Sequence, residues 1–114
     1  MTTVYKILGQ SLPAPNTWTT VYTVPNGNSA IISSIAICNI SNSLNARYGL
    51  CVTKSGTGAP ASTTSNTILV SEATVLSSDT AFLTLGLTLG ANDSVRANVM
   101  SGNVAINLFG TEIY

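Results

Sequence analysis

A chain of 114 residues has room for one domain and enough length to bury roughly two thirds of its unfolded surface without a metal or disulfide staple. Charged residues make up 7% of it, four Lys/Arg against four Asp/Glu with no histidine, whereas an ordinary soluble domain carries roughly 25%. That composition excludes a phosphate-binding surface, which needs clustered cations. With 45% hydrophobic residues, it also excludes disorder, which needs the opposite balance.

The opening Met1-Thr2-Thr3-Val4-Tyr5-Lys6 has neither the basic region nor the apolar core of a signal peptide, so cytoplasmic synthesis without general export is expected. No apolar run approaches the ~18 residues of a membrane-spanning helix. Residues 4–8 read as a first strand, and 9–17, holding Pro13 and Pro15, as an irregular crossing. A strand over 20–24 meets Pro25-Asn26-Gly27-Asn28, whose Asn-Gly step predicts a hairpin into 30–40.

Residues 30–40 are apolar on both faces. One face carries Ile31, Ile35 and Ile37, the other Ile32, Ala36, Cys38 and Ile40. Either this is a central strand covered on both sides by its own chain, or its outer face is buried by another subunit. Ser41-Asn42-Ser43-Leu44-Asn45 then leads into a strand over 47–53. If the two strands form a hairpin, Cys38 and Cys51 face each other. A bridge would close a loop of about 14 residues and add roughly 3 kcal/mol; free, half-buried thiols are the alternative, since cytosolic thiols stay reduced.

Residues 55–66 form a low-complexity polar loop, and 68–71 a short strand. Leucines at 83, 85, 87 and 89 alternate with Thr84, Gly86 and Thr88, the period of a strand with one buried face. Val95, Ala97 and Val99 repeat the pattern, as do Val104, Ile106 and Leu108, with Ser101-Gly102-Asn103 as a second expected hairpin turn. About eight short strands at this spacing predict an all-β chain, a single antiparallel β-sandwich or jelly-roll-like domain.

The absence of histidine removes the commonest general base and metal ligand and every Ser–His or Cys–His pair. Glu72, Asp79, Asp93 and Glu112 show no spacing that pairs two carboxylates for glycosidase chemistry. No catalytic, metal-binding or cofactor-binding residue is assigned. Trp18 and the tyrosines at 5, 22, 48 and 114 are packing residues or, in the alternative reading, sugar-stacking platforms of a small lectin-like adhesin. Charge keeps monomers apart in solution, so a surface this poor in it is expected to be covered by neighbours.

Several strings resemble small structural proteins of tailed phages, cyanophages among them. They are Thr3-Val4-Tyr5-Lys6-Ile7-Leu8-Gly9-Gln10-Ser11, Tyr22-Thr23-Val24-Pro25, Ile37-Cys38-Asn39, Leu87-Thr88-Leu89 followed by Asp93, and Asn107-Leu108-Phe109-Gly110-Thr111-Glu112-Ile113. The resemblance spans most of the chain and implies a virion component: a capsid decoration (cement) protein, or a tail, neck or baseplate accessory subunit. It implies a homo-oligomer, a trimer foremost, bound to a major capsid or tail protein, with no cofactor and no nucleic acid or membrane partner. The strand 1–8 (Val4, Tyr5, Ile7) and the segment 109–114 (Phe109, Ile113, Tyr114) are expected to add to a neighbour's sheet. Ile32, Ala36, Ile40 and Trp18 complete the expected contact surface.

Overall fold

The computed structural model describes residues 1–60 and 65–114. Its eight strands are β1 (Thr3–Ser11), β2 (Thr19–Thr23), β3 (Ser29–Asn39), β4 (Ala46–Thr53), β5 (Ile68–Val75), β6 (Thr80–Leu89), β7 (Ser94–Ser101) and β8 (Val104–Ile113). A single 3-10 turn, Ser65–Thr67, precedes β5. The expected polar loop at 55–66 falls partly outside the described residues.

Two four-stranded antiparallel sheets pack face to face, a front sheet in the order β1-β8-β3-β6 and a back sheet in the order β2-β7-β4-β5. Strand pairs 1·8, 2·7, 3·6 and 4·5 are those of one long hairpin folded at its β4–β5 end. Rolling that ribbon brings β8 beside β3 and β7 beside β4, which is jelly-roll winding. The all-β sandwich of eight strands follows the alternation directly.

Sheet membership departs from the local turn signals. The turn at 25–28, where Asn28 N–H donates to the Pro25 carbonyl at 3.1 Å, joins β2 in the back sheet to β3 in the front sheet. The turn at 101–103 likewise links β7 to β8 across the sandwich. Neither is a hairpin. Turn residues bend the chain around a sandwich corner as readily as within one sheet, and only long-range pairing decides between the two. For the same reason Cys38 and Cys51 do not face each other: β3 and β4 lie in different sheets, and both thiols are free.

The core fills the space between the sheets. Ile32, Ile35, Ile37, Ile106 and Leu108 from the front sheet meet Leu50, Val95 and Val99 from the back, all essentially without solvent contact. In β3 the inward series runs Ala30, Ile32, Ile35, Ile37, with a phase change at Ser33. There the register with β8 passes from Ile32↔Gly110 to Ser34↔Phe109, so Ser33 is an extra residue, a β-bulge. Similar irregularities at Leu8 of β1 and at Leu85–Gly86 of β6 continue the same bend across the sheet.

Buried Asn39 clamps one end of the sandwich. Its side-chain amide donates to the Leu44 carbonyl at 2.8 Å and the Val75 carbonyl at 3.0 Å, and its Oδ1 accepts from Ser41 N–H at 3.0 Å. Replacing it strands three backbone groups at once. Asn39→Ala is expected to lower unfolding free energy by about 2–3 kcal/mol, read from the urea midpoint at unchanged slope.

Candidate functional site

The outer face of the front sheet is built by strand alternation, since residues that skip the core in β1, β8, β3 and β6 all point the same way. The registers set them in rows. Thr3, Ile113 and Ser29 form the first, then Tyr5–Thr111–Ile31–Thr88, Ile7–Phe109–Ser34–Thr84, Gln10–Asn107–Ala36–Phe82, and Ala105–Cys38–Thr80. No position in these rows carries a charge.

Five large apolar or aromatic side chains stand on it in solvent: Tyr5 at 82% exposed, Phe82 at 71%, Ile7 at 52%, Ile31 at 39% and Phe109 at 36%. At ~4.8 Å between strands and ~6.7 Å between same-face residues, the rows span roughly 500 Å². Apolar and aromatic side chains clustered among uncharged polar ones on a face of this extent make it the candidate interaction surface.

The exposed charges lie elsewhere. Arg47 and Glu72 pair at 2.5 Å on the back sheet, and Arg96 reaches Thr20 Oγ1 at 2.9 Å on the same sheet. Asp79 sits in the β5–β6 turn, and Asp93 caps the β6–β7 turn by accepting from Gly90 N–H at 2.8 Å and Ser55 N–H at 3.0 Å. One sheet carries charges on its outer face and the other does not.

The structure places the expected contact residues unevenly. Tyr5, Ile7, Phe109 and half-buried Ala36 and Ile113 share the front face. Ile40 (54% exposed) lies just past β3, and Tyr114 (55%) just past β8. Val4 alternates to the inner side of β1, and Trp18 is half-buried ahead of β2. Ile32 is a correction: it is fully buried, because the bulge at Ser33 shifts the phase of β3 and puts Ile31 outside in its place. The segment 109–114 is a second correction. Both edges of β8 are occupied, by β1 and β3, so it cannot add to a neighbour's sheet. Phe82 joins the front-face residues although it lies one residue before the leucine series that marks the strand, because it is in phase with Thr84 and Thr88.

No protein-family model, curated protein or solved structure matches this chain.

Two other places hold chemistry. Glu112 is 4% exposed, with Oε1 on Lys6 Nζ at 2.5 Å and Oε2 accepting from the Tyr22 hydroxyl at 2.5 Å. Those contacts hold the carboxyl below the usual range, the Lys6 hydrogen bond foremost; burial and the bond to Glu112 push the Tyr22 phenol up. Both carboxylate oxygens are engaged and the group is ionised, so it joins the two sheets and has no proton to donate. A cleft of about 590 Å³ opens between the ends of β4 and β6, lined by Thr53, Lys54, Thr57, Asn66, Thr88 and Asp93 among others. No aromatic ring lines it among the described residues, so it offers no sugar-stacking platform. Cys51 is buried, which pushes its thiol up and lowers its reactivity.

Proposed function

We propose that this chain is a non-enzymatic structural protein of a phage virion, a capsid decoration protein that stabilises the shell through protein–protein contacts. The observation that carries the reading is the uncharged front face, with Tyr5, Ile7, Ile31, Phe82 and Phe109 exposed on it. Two of the strings that resemble phage structural proteins, residues 3–11 and 107–113, are neighbouring strands of that face. Jelly-roll winding is common in capsid components, although a fold alone assigns no function.

A face of roughly 500 Å² is smaller than the ~800 Å² per partner of a standard stable interface. One such contact is weak, and many copies arrayed on a shell are not. Copies clustered about a symmetry axis, three-fold foremost, suit that requirement. The chain is then made in the host cytoplasm and ends in the virion.

The test is binding to particles that lack the protein. The wild-type chain is expected to bind them saturably and to restore their resistance to heat and osmotic shock. Tyr5→Glu combined with Phe82→Glu adds charge at two exposed positions, leaves the core alone, and should weaken binding about 30-fold. Saturation on isolated tails and not on shells would move the subunit to the tail. Equal binding by the double variant would remove the front face from the account.

A further inference from the structure

Four strands end the two sheets, and three of them carry devices that discourage pairing. β1 holds Lys6 and a bulge, β2 has only five residues with a register break, and β5 holds Glu72 and two register breaks. β6 runs for ten residues, Thr80–Leu89, without a charge or a proline. Its only irregularity is the bend at Leu85–Gly86, through which Leu-in, Thr-out alternation continues. Leu83, Leu85 and Leu87 face the core but are only half-buried.

The segment Leu83-Thr84-Leu85-Gly86-Leu87-Thr88-Leu89 reads the same in both directions about Gly86. Two copies laid antiparallel about a two-fold axis at Gly86 place Leu against Leu, Thr against Thr and Gly against Gly, pairs that support a sheet. Gly86 sits at the bend of β6, one common place for a strand glycine, and the space beside it is open. A Cβ built there would meet nothing within 4 Å, and its φ lies outside the left-handed region. A strand-interior glycine costs about 0.5–1 kcal/mol against alanine, and one common reason to keep it is another backbone approaching closely.

We infer that two copies of this chain join through their β6 edges in an antiparallel two-fold contact centred on Gly86, fusing two front sheets into one of eight strands. The contact covers the half-exposed leucines and satisfies the edge of β6 that has no partner strand among the described residues. It also makes the two uncharged faces continuous, doubling the roughly 500 Å² surface. This deepens the self-association in the proposed function but stands on the β6 edge alone. It is compatible with three-fold clusters, which it would join in pairs.

Sedimentation of the full chain over a concentration series tests it, using two double variants at exposed positions. Position 84 faces 88 of the other copy, so Thr84→Lys with Thr88→Lys opposes like charges twice and should weaken association about ten-fold or more. Thr84→Lys with Thr88→Glu places opposite charges in the same register and should restore it. In a Cys38→Ser background, Gly86→Cys should form a covalent dimer on oxidation with copper phenanthroline, by a route that adds no charge. Even-numbered species with this charge pattern and the cross-link support the inference. A wild-type monomer or odd-numbered oligomer, identical behaviour of the two charge variants, or no cross-link would overturn it. A dimer that forms but never binds particles would sink the virion reading and leave this one standing.

Discussion

Gly110→Ala is expected to cost about 3 kcal/mol or more, at the upper end for overpacking in a closed site, and to lower the melting temperature by about 10 °C or more. Gly110 lies in β8 opposite the bulge of β3. A Cβ there would stand 2.1 Å from the Ile31 carbonyl oxygen and 3.0 Å from both Ile32 Cα and Leu8 Cδ1. Two of those atoms are backbone in the middle of a sheet paired on both sides, so they cannot yield without breaking ladder hydrogen bonds. Gly86→Ala is the control, since open space receives its Cβ. For the isolated subunit that change should be neutral or stabilising by up to about 1 kcal/mol. Thermal and urea denaturation of the two variants side by side, below the concentration at which copies associate, gives the comparison.

The second large effect is the pH dependence of the Lys6–Glu112–Tyr22 group. Glu112 has a folded pKa below its unfolded value of ~4.3. Its contribution is therefore present above pH ~4.3 and is lost as pH falls through the folded value, because the unfolded chain takes up the proton first. Tyr22 is raised, by burial first and then by the hydrogen bond to Glu112. Its contribution is fully present below the unfolded value of ~10 and declines as pH rises from there toward the folded value. Melting temperature should be level between about pH 5 and pH 9 and fall on either side.

Substitution separates the parts. Tyr22→Phe removes a hydrogen bond to a charged acceptor, costs about 2 kcal/mol at neutral pH, and abolishes the alkaline decline due to this group. Lys6→Met leaves the carboxylate without its cation. Because the Lys6 side chain is 46% exposed, screening holds the cost to about 1–2 kcal/mol, less than for a fully buried pair. Adding Glu112→Leu to Lys6→Met should recover most of that loss, since the uncompensated charge is gone. Melts of wild type and Glu112→Gln from pH 3 to pH 7 should differ mainly above pH ~4.3, where the carboxylate is charged.

How far the residues announce this structure depends on the range of each signal. Alternation is local, so eight strands and their apolar faces were legible, with β6 written plainly by four leucines at every second position. Sheet membership is not local. The turns at 25–28 and 101–103 read as hairpins and turned out to be corners, and no nearby residue distinguishes the two. A bulge is invisible to a period-two count, which is why Ile32 was put on the surface and Ile31 inside the domain. Nothing near Glu112 in the chain marks it as buried, because its partners are 90 and 106 positions away. The uncharged front face was half legible. Low overall charge pointed to a covered surface, but only the registers show that the outer rows of one sheet hold none of the eight charged residues.

The most direct test is an electron cryomicroscopy map of the assembled particle with this subunit placed in it. The β1-β8-β3-β6 face is expected against another chain, with Tyr5, Ile7, Phe82 and Phe109 out of solvent and the charged back sheet facing outward. Those four side chains standing in solvent in every copy would remove the front face as the contact surface.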